Sequence, residues 1–144
     1  MDWVIVCDST TCFIYEYQKR ELHLIKEISH PENKLKDIDL TSDKPGRYQG
    51  GESRKGSYEQ KMDPKAVKID EFIREVTKEL EHGRTQKAYD KLIFITPPHI
   101  SGLFSQHLNQ HVKNLIRNNI HKDIVHLPAH QLLNFLQENA EFPD

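Results

Sequence analysis

A small number of side chains in this sequence have the types and spacing that chemistry requires, and Asp8 comes first along the chain. It follows an apolar run, where two-metal nucleases place one of several converging carboxylates. Glu71 or Glu75 would supply a second acid from a helix. The next is expected after residues 92–95, where the sequence has Thr96-Pro97-Pro98 instead. We therefore interpret Asp8 as a turn residue. A ribonuclease H-like metal-dependent nuclease, with one of its expected acidic residues missing, is only the third hypothesis for function.

Two other groupings resemble binding sites without completing them. Residues 46–53 match the phosphate-loop spacing G-x-x-x-x-G-K-S except at Glu52, a carboxylate that would repel phosphate. His107 and His111 are four residues apart, which suits zinc on a helix, but no third ligand is evident and His111 is predicted on the apolar face. No nucleophile motif surrounds Cys7 or Cys12. We predict no metal and no cofactor, and a non-catalytic role is favoured over an enzyme.

Composition limits the class of protein. The chain has 144 residues, with 20 Lys and Arg against 22 Asp and Glu, so its net charge of −2 argues against a generally basic nucleic-acid binder. The N-terminus lacks the pattern of a secretory signal, and no apolar run approaches the roughly 20 residues that cross a bilayer. We expect a cytoplasmic protein without membrane insertion. Its two cysteines, Cys7 and Cys12, are expected to face each other if the first turn is centred on residues 9–10. We favour two free thiols, and a disulfide between them is the alternative.

Apolar patterns predict an α/β fold with the order βββαβαβα in a single domain covering residues 1–144. We predict strands over residues 3–7, 11–17, 21–29, 92–95 and 120–126. The first helix is predicted to begin at Asp63-Pro64, with Asp63 as N-cap, and to stop at Gly83; the others cover about 101–117 and start at Pro128. This order is that of ribonuclease H-like folds, with a mixed five-stranded sheet and strands 1 and 4 at its centre.

Residues 30–63 form a long segment with few apolar residues, and segments of this length tend to be functional. Residues 44–61 contain five basic and two acidic side chains, a local charge of +3, together with four glycines and two tyrosines. Arginines on phosphates, stacked tyrosines and close backbone approach at glycine would suit structured RNA. A solvated loop without a ligand is the alternative. The predicted RNA- or partner-binding residues are Asp43, Pro45, Gly46, Arg47, Tyr48, Gln49, Gly50, Gly51, Glu52, Arg54, Lys55 and Tyr58.

Several motifs carry a family resemblance along nearly the whole chain. They are His30-Pro31, residues 36–40 (KDIDL), residues 42–47 (SDKPGR), Asp63-Pro64, Phe72, residues 92–98 (LIFITPP), Gly102-Leu103 and residues 122–124 (KDI). On these motifs the sequence resembles the bacterial host-attachment protein family, whose members are described as required for attachment to host cells. His99 departs from the pattern, in which a basic residue is expected after the two prolines.

That family in turn looks like the middle domain of archaeal and eukaryotic class I release factors, which carries a Gly-Gly-Gln loop. This sequence has Gly50-Gly51-Glu52 at a comparable place, so the resemblance implies a ribosomal RNA site but puts peptide release in doubt, because Glu52 replaces an amide with a charge. Two hypotheses follow. The preferred one is a cytoplasmic module that binds the ribosome or RNA, and the alternative is an attachment factor that acts at the cell surface.

Overall fold

The computed structural model describes residues 1–31, 33 and 64–139, and these form an α/β fold around a mixed sheet. The strands are β1 (Asp2–Cys7), β2 (Thr11–Gln18), β3 (Glu21–Ser29), β4 (Lys91–Ile95) and β5 (Ile116–Ile120). The helices are α1 (Pro64–Thr85), α2 (Pro98–His107), α3 (Gln110–Lys113) and α4 (Ala129–Asn139). The predicted N-cap Asp63 lies outside the described residues.

The five strands lie in the order β3-β2-β1-β4-β5, which confirms the predicted ribonuclease H-like arrangement with β1 and β4 at the centre. β1 is antiparallel to β2 and parallel to β4. The apolar runs of β1 and β4 take the central positions because both faces of these strands are covered. β1, β3 and β4 all end on one side of the sheet, which we call the carboxyl end, while the first residues of β1 and β4 define the amino end.

The helices cover the sheet on two faces. On one face α1, α2 and α3 enclose a core around Phe72, Phe94 and Phe104, with Phe94 and Phe104 in edge contact at 5.1 Å between ring centres. On the other face α4 packs Leu132 and Leu136 onto a smaller core. No helix among the described residues has both the length and the apolar character that spanning a bilayer requires.

The predicted end of the first helix at Gly83 is wrong. Helix α1 continues to Thr85. Gly83 has a packing role instead. A Cβ atom at this position would lie 2.6 Å from Trp3 Cη2 and 3.0 Å from Tyr89 Cε2. Only a glycine lets the helix backbone approach the Trp3 ring this closely.

Two predicted boundaries after β4 are wrong. The helix predicted over 101–117 is broken at Leu108 and Asn109, both extended, and the Asn109 side chain accepts a hydrogen bond from Val112 N as the cap of α3. The strand predicted over 120–126 lies at Ile116–Ile120 instead. Val125, which suggested the later position, is buried against the α4 side of the sheet.

Candidate partner-binding site

The turn between β1 and β2 is organised by Asp8 at the carboxyl end of the sheet. Its Oδ1 accepts hydrogen bonds from Thr10 N at 2.9 Å, Thr10 Oγ1 at 3.1 Å and Thr11 N at 2.8 Å. A short acidic side chain that bonds the backbone two and three residues later is typical of an Asx turn. The prediction that Asp8 is a turn residue is confirmed.

The residues that follow β3 are attached to this turn. His30 N donates to Thr10 O at 2.7 Å, and Asn33 Nδ2 donates to Ser9 O at 3.0 Å. His30 Nε2 lies 2.7 Å from Glu75 Oε1 on α1, and its ring lies 5.1 Å from that of Phe72. The chain therefore leaves β3 bound both to the first hairpin and to α1.

At the carboxyl end, two buried side chains have polar atoms without hydrogen-bond partners among the described residues. They are Asn33, which is 3% exposed, and Thr96, which is fully buried directly after β4. Asn33 Oδ1 and Thr96 Oγ1 are the atoms concerned. Such buried atoms are rare in native proteins and mark positions where water, a ligand or another part of the chain can bond.

The acids considered for a nuclease are engaged elsewhere. Asp8 Oδ1 serves the turn, Glu75 faces His30, and Glu71 is exposed with its Oε1 3.6 Å from Lys68 Nζ. Within residues 1–31, 33 and 64–139, no three histidine, cysteine or acidic side chains come together as metal ligands. The geometry of the described residues offers no site for two-metal chemistry.

The two candidate zinc ligands on the second helix are separated by the break after α2. His107 Nε2 lies 2.6 Å from Asp70 Oδ1 on α1, and the hydrogen bond from His107 is the main cause of the lowered pKa of Asp70, with Arg74 adding to it. His111 is exposed on α3, so its predicted position on the apolar face is wrong. A continuous helix would have turned it inward; the restart at Asn109 rotates it outward.

Cys7 and Cys12 face each other across β1 and β2, as the even turn predicted. Both thiols are free and buried. Burial, reinforced by a hydrogen bond with Cys12, raises the pKa of the Cys7 thiol. Buried thiols of raised pKa are poor nucleophiles.

The twelve residues predicted to bind RNA or a partner all fall within residues 34–63, which lie outside the described part of the chain. The same holds for the phosphate-loop-like stretch 46–53 and for Gly50-Gly51-Glu52. The described flanks of this segment are His30, Pro31 and Asn33 on one side and Pro64 on the other.

A cleft between α1 and the α2–α3 region was not predicted. It has a volume of about 380 Å³. Its side chains are Thr77, Lys78, Glu81, His82, His107, Leu108, Asn109 and Val112. Arg84 and Asn109 both bond the Glu81 carboxylate and hold its pKa near 2.

Comparison with known proteins identifies the family. The family described as "protein required for attachment to host cells" matches residues 3–136 of this chain. The chain belongs to this family. The match covers all nine described strands and helices except the first residue of β1 and the last residues of α4.

The host-attachment chain also resembles a solved structure described as "Archaeal protein". The likeness has a TM-score of 0.53 with 13% identity, and covers 96% of this chain but 34% of that one. At this identity it shows a shared fold only. No curated protein sequence matches the chain.

Sequence reasoning missed two long-range side-chain contacts of this host-attachment protein, His30–Glu75 and His107–Asp70. The residues of the His107–Asp70 contact are 37 positions apart in the sequence, and those of the His30–Glu75 contact are 45 positions apart. The helical spacing of Asp70 and Arg74, which bond each other at 2.9 Å, was the only local signal available. The same limit applies to the cleft, since its two walls come from separate helices.

Proposed function

We propose that this host-attachment family protein is a cytoplasmic, non-catalytic module that binds the ribosome or a structured RNA through residues 43–58. The observation that carries the proposal is the composition of residues 44–61, with a local charge of +3 in a chain of −2. Arg47, Arg54 and Lys55 would contact phosphates, and Tyr48 and Tyr58 would stack on bases. The whole chain would act as one domain.

The flanks of the segment support this proposal. His30 and Asn33 are bonded to the first hairpin, and Pro64 begins a helix whose middle packs against the sheet. A glycine-rich binding segment gains most when the residues at both of its ends are held, because less conformational entropy is lost on binding.

The likeness to release-factor middle domains gives the proposal a specific target. Gly50-Gly51 would let the backbone approach ribosomal RNA closely. Glu52, in place of an amide, would not orient water at a peptidyl ester as glutamine does, so the module would bind at such a site without releasing peptide.

Co-sedimentation with ribosomes tests the proposal. We expect the protein in the ribosomal fraction at low salt, with less at moderate salt, because phosphate contacts release counterions. The variant Arg47→Gln, Arg54→Gln, Lys55→Gln should lose this association. A matched control removes three positive charges near the amino end of the sheet, in Lys19→Gln, Lys87→Gln, Lys91→Gln, and should retain it. Absence of the wild-type protein from ribosomes at both salts would refute the proposal.

The family description favours a second candidate, an attachment factor that acts at the cell surface. Fractionation of cells that produce the protein separates the two. A pool confined to the cytosol, together with lost host attachment in the triple variant, would make attachment an indirect result of RNA or ribosome binding. Protein recovered at the cell surface and accessible to added protease would favour direct attachment instead.

A further inference from the structure

The cleft between α1 and the α2–α3 region is built unlike the carboxyl end of the sheet. Its floor is apolar, formed by Leu108 and Val112, which are both buried. Its volume of about 380 Å³ lies within the range of roughly 300–1,000 Å³ common for small-molecule pockets. All of its residues lie on described helices and the short connection between them.

Most of the polar groups around the cleft are already bonded within the protein. Glu81 is neutralised by Arg84 at 2.7 Å and bonded by Asn109 at 2.9 Å. His107 is held by Asp70. Thr77 Oγ1 donates to a carbonyl of its own helix at 2.8 Å. These groups hold the walls in place and need no ligand to satisfy them.

Lys78 and His82 differ from the rest of the lining. They are exposed, lie one helical turn apart on α1, and neither side chain is paired with any other side chain among the described residues. A lysine ammonium with no carboxylate partner at the rim of an apolar cleft favours an anion. The imidazoles of His82 and His107 also line the cleft, one from α1 and one from α2.

We propose that this cleft binds a nucleoside monophosphate, either free or as one residue of a single-stranded RNA. The phosphate would lie at Lys78 and His82, and the base would lie over Leu108 and Val112 beside the histidine rings. A carboxylate from a partner protein would satisfy Lys78 but leave the apolar floor uncovered. The proposal is independent of residues 43–58 and of the function proposed for them.

Amide NMR of the full-length protein with AMP as the probe tests this site. We expect chemical-shift changes concentrated in residues 77–82 and 107–112, saturating at millimolar AMP or below. Adenosine and inorganic phosphate, each carrying half of the ligand, should bind at least tenfold more weakly. Shifts absent from these residues, or equal shifts with phosphate alone, would overturn the proposal.

Two double variants separate the site from general charge effects. Lys78→Gln with His82→Gln should weaken AMP binding about tenfold or more, the loss expected for a charge-assisted bond. His121→Gln with Lys122→Gln removes the same residue types from exposed positions after β5 and should leave AMP binding unchanged. Equal weakening in both variants would contradict a specific site. The triple variant of Arg47, Arg54 and Lys55 should keep AMP binding, so this proposal and the ribosome proposal fail separately.

Two further probes identify the source and the class of the ligand. Tetra-adenylate that shifts the same amides at lower concentration than AMP would assign the site to single-stranded RNA, and AMP binding as well or better would assign it to free nucleotides. A tetraglutamate peptide that shifts the cleft more strongly than AMP would overturn the assignment to nucleotides.

Discussion

The two ends of the sheet differ in the side chains that pack there and in how their polar groups are bonded. At the amino end two acids face cationic groups: the Met1 ammonium lies 2.6 Å from Asp90 Oδ2, and Arg117 Nε lies 3.3 Å from the buried Asp2 carboxylate, although this buried Nε makes no hydrogen bond within the described part of the chain. Trp3 fills the space beside Gly83, with its ring 4.7 Å from that of Tyr89. Packing and charge pairing close this end.

The carboxyl end combines tight backbone turns with unsatisfied side chains. Asp8 fixes the first turn, yet Asn33 Oδ1 and Thr96 Oγ1 are buried without hydrogen-bond partners in residues 1–31, 33 and 64–139. The segment that contains the proposed RNA-binding residues leaves from this same end after Asn33. The comparison indicates that ion pairs and close aromatic packing distinguish the amino end, while the carboxyl end retains two neutral buried oxygens that can bond to something else.

The largest expected effect comes from the amino end. Gly83→Ala would force a Cβ to within 2.6 Å of the Trp3 ring, and the overpacking should lower the free energy of unfolding by about 2–3 kcal/mol. Thermal or urea unfolding measures this loss.

Gly102→Ala is the matched control, because Gly102 is on α2 and a Cβ there would meet nothing within 4 Å. This substitution should stabilise the protein by about 0.5–1 kcal/mol. Trp3→Leu combined with Gly83→Ala should cost less than the sum of the two single changes. Equal effects of alanine at Gly83 and Gly102 would contradict the close packing at the amino end.

Gly83 also shows where sequence reasoning reaches its limit. A glycine near the end of a helical pattern predicts the end of the helix. Here glycine is required because Trp3, 80 positions earlier in the sequence, packs against Gly83, and this contact exists only in the folded protein. The strands β1 and β4 were predictable because central strands are continuous apolar runs. β5 was not, since an outer strand with Arg117, Asn118 and Asn119 at its centre lacks an apolar signal.

The candidate sites divide in the same way. Asp8 and the Cys7–Cys12 register were predictable because both depend on a local turn. The break at Asn109 was not, because Leu108 and Val112 keep a helical spacing across it. The cleft depends on that break and on two separate helices, so no local pattern indicated it.

Thr96→Val should produce the next largest effect, with the opposite sign. The Thr96 hydroxyl is buried and has no hydrogen-bond partner in the part of the chain that the structure describes, so replacing it with a methyl group should raise the free energy of unfolding by up to about 1 kcal/mol. Thr77→Val is the control, because Thr77 donates a hydrogen bond and should lose stability. A destabilised Thr96→Val protein would mean that the hydroxyl is bonded in solution, and the contrast between the two ends would weaken.

Acid titration of stability should reveal the Glu81 network on α1. The pKa of Glu81 is near 2 in the folded protein, below the ordinary value of 4.5. The contribution of the Glu81 carboxylate to the free energy of unfolding is therefore complete above pH 4.5 and is lost as the pH falls toward 2. Because the side chain is partly exposed, we expect about 1 kcal/mol or less. Between pH 6 and pH 2, the free energy of unfolding should fall less steeply for Glu81→Gln than for the wild-type protein. Glu71→Gln, an exposed control on the same helix, should keep the wild-type slope; a Glu81→Gln protein that also keeps it would contradict the network.

The smallest effect is expected at the carboxyl end, from Glu75→Gln. Glu75 is half-exposed and its contact with His30 should contribute about 0.5 kcal/mol, so global unfolding should change little. Its local effect should be larger, because this contact joins the end of β3 to α1. Hydrogen exchange of His30 N–H, which donates to Thr10 O, should accelerate in Glu75→Gln but not in Glu71→Gln. Unchanged exchange at His30 would mean that the first hairpin alone holds the start of the segment, and that α1 contributes nothing to its attachment.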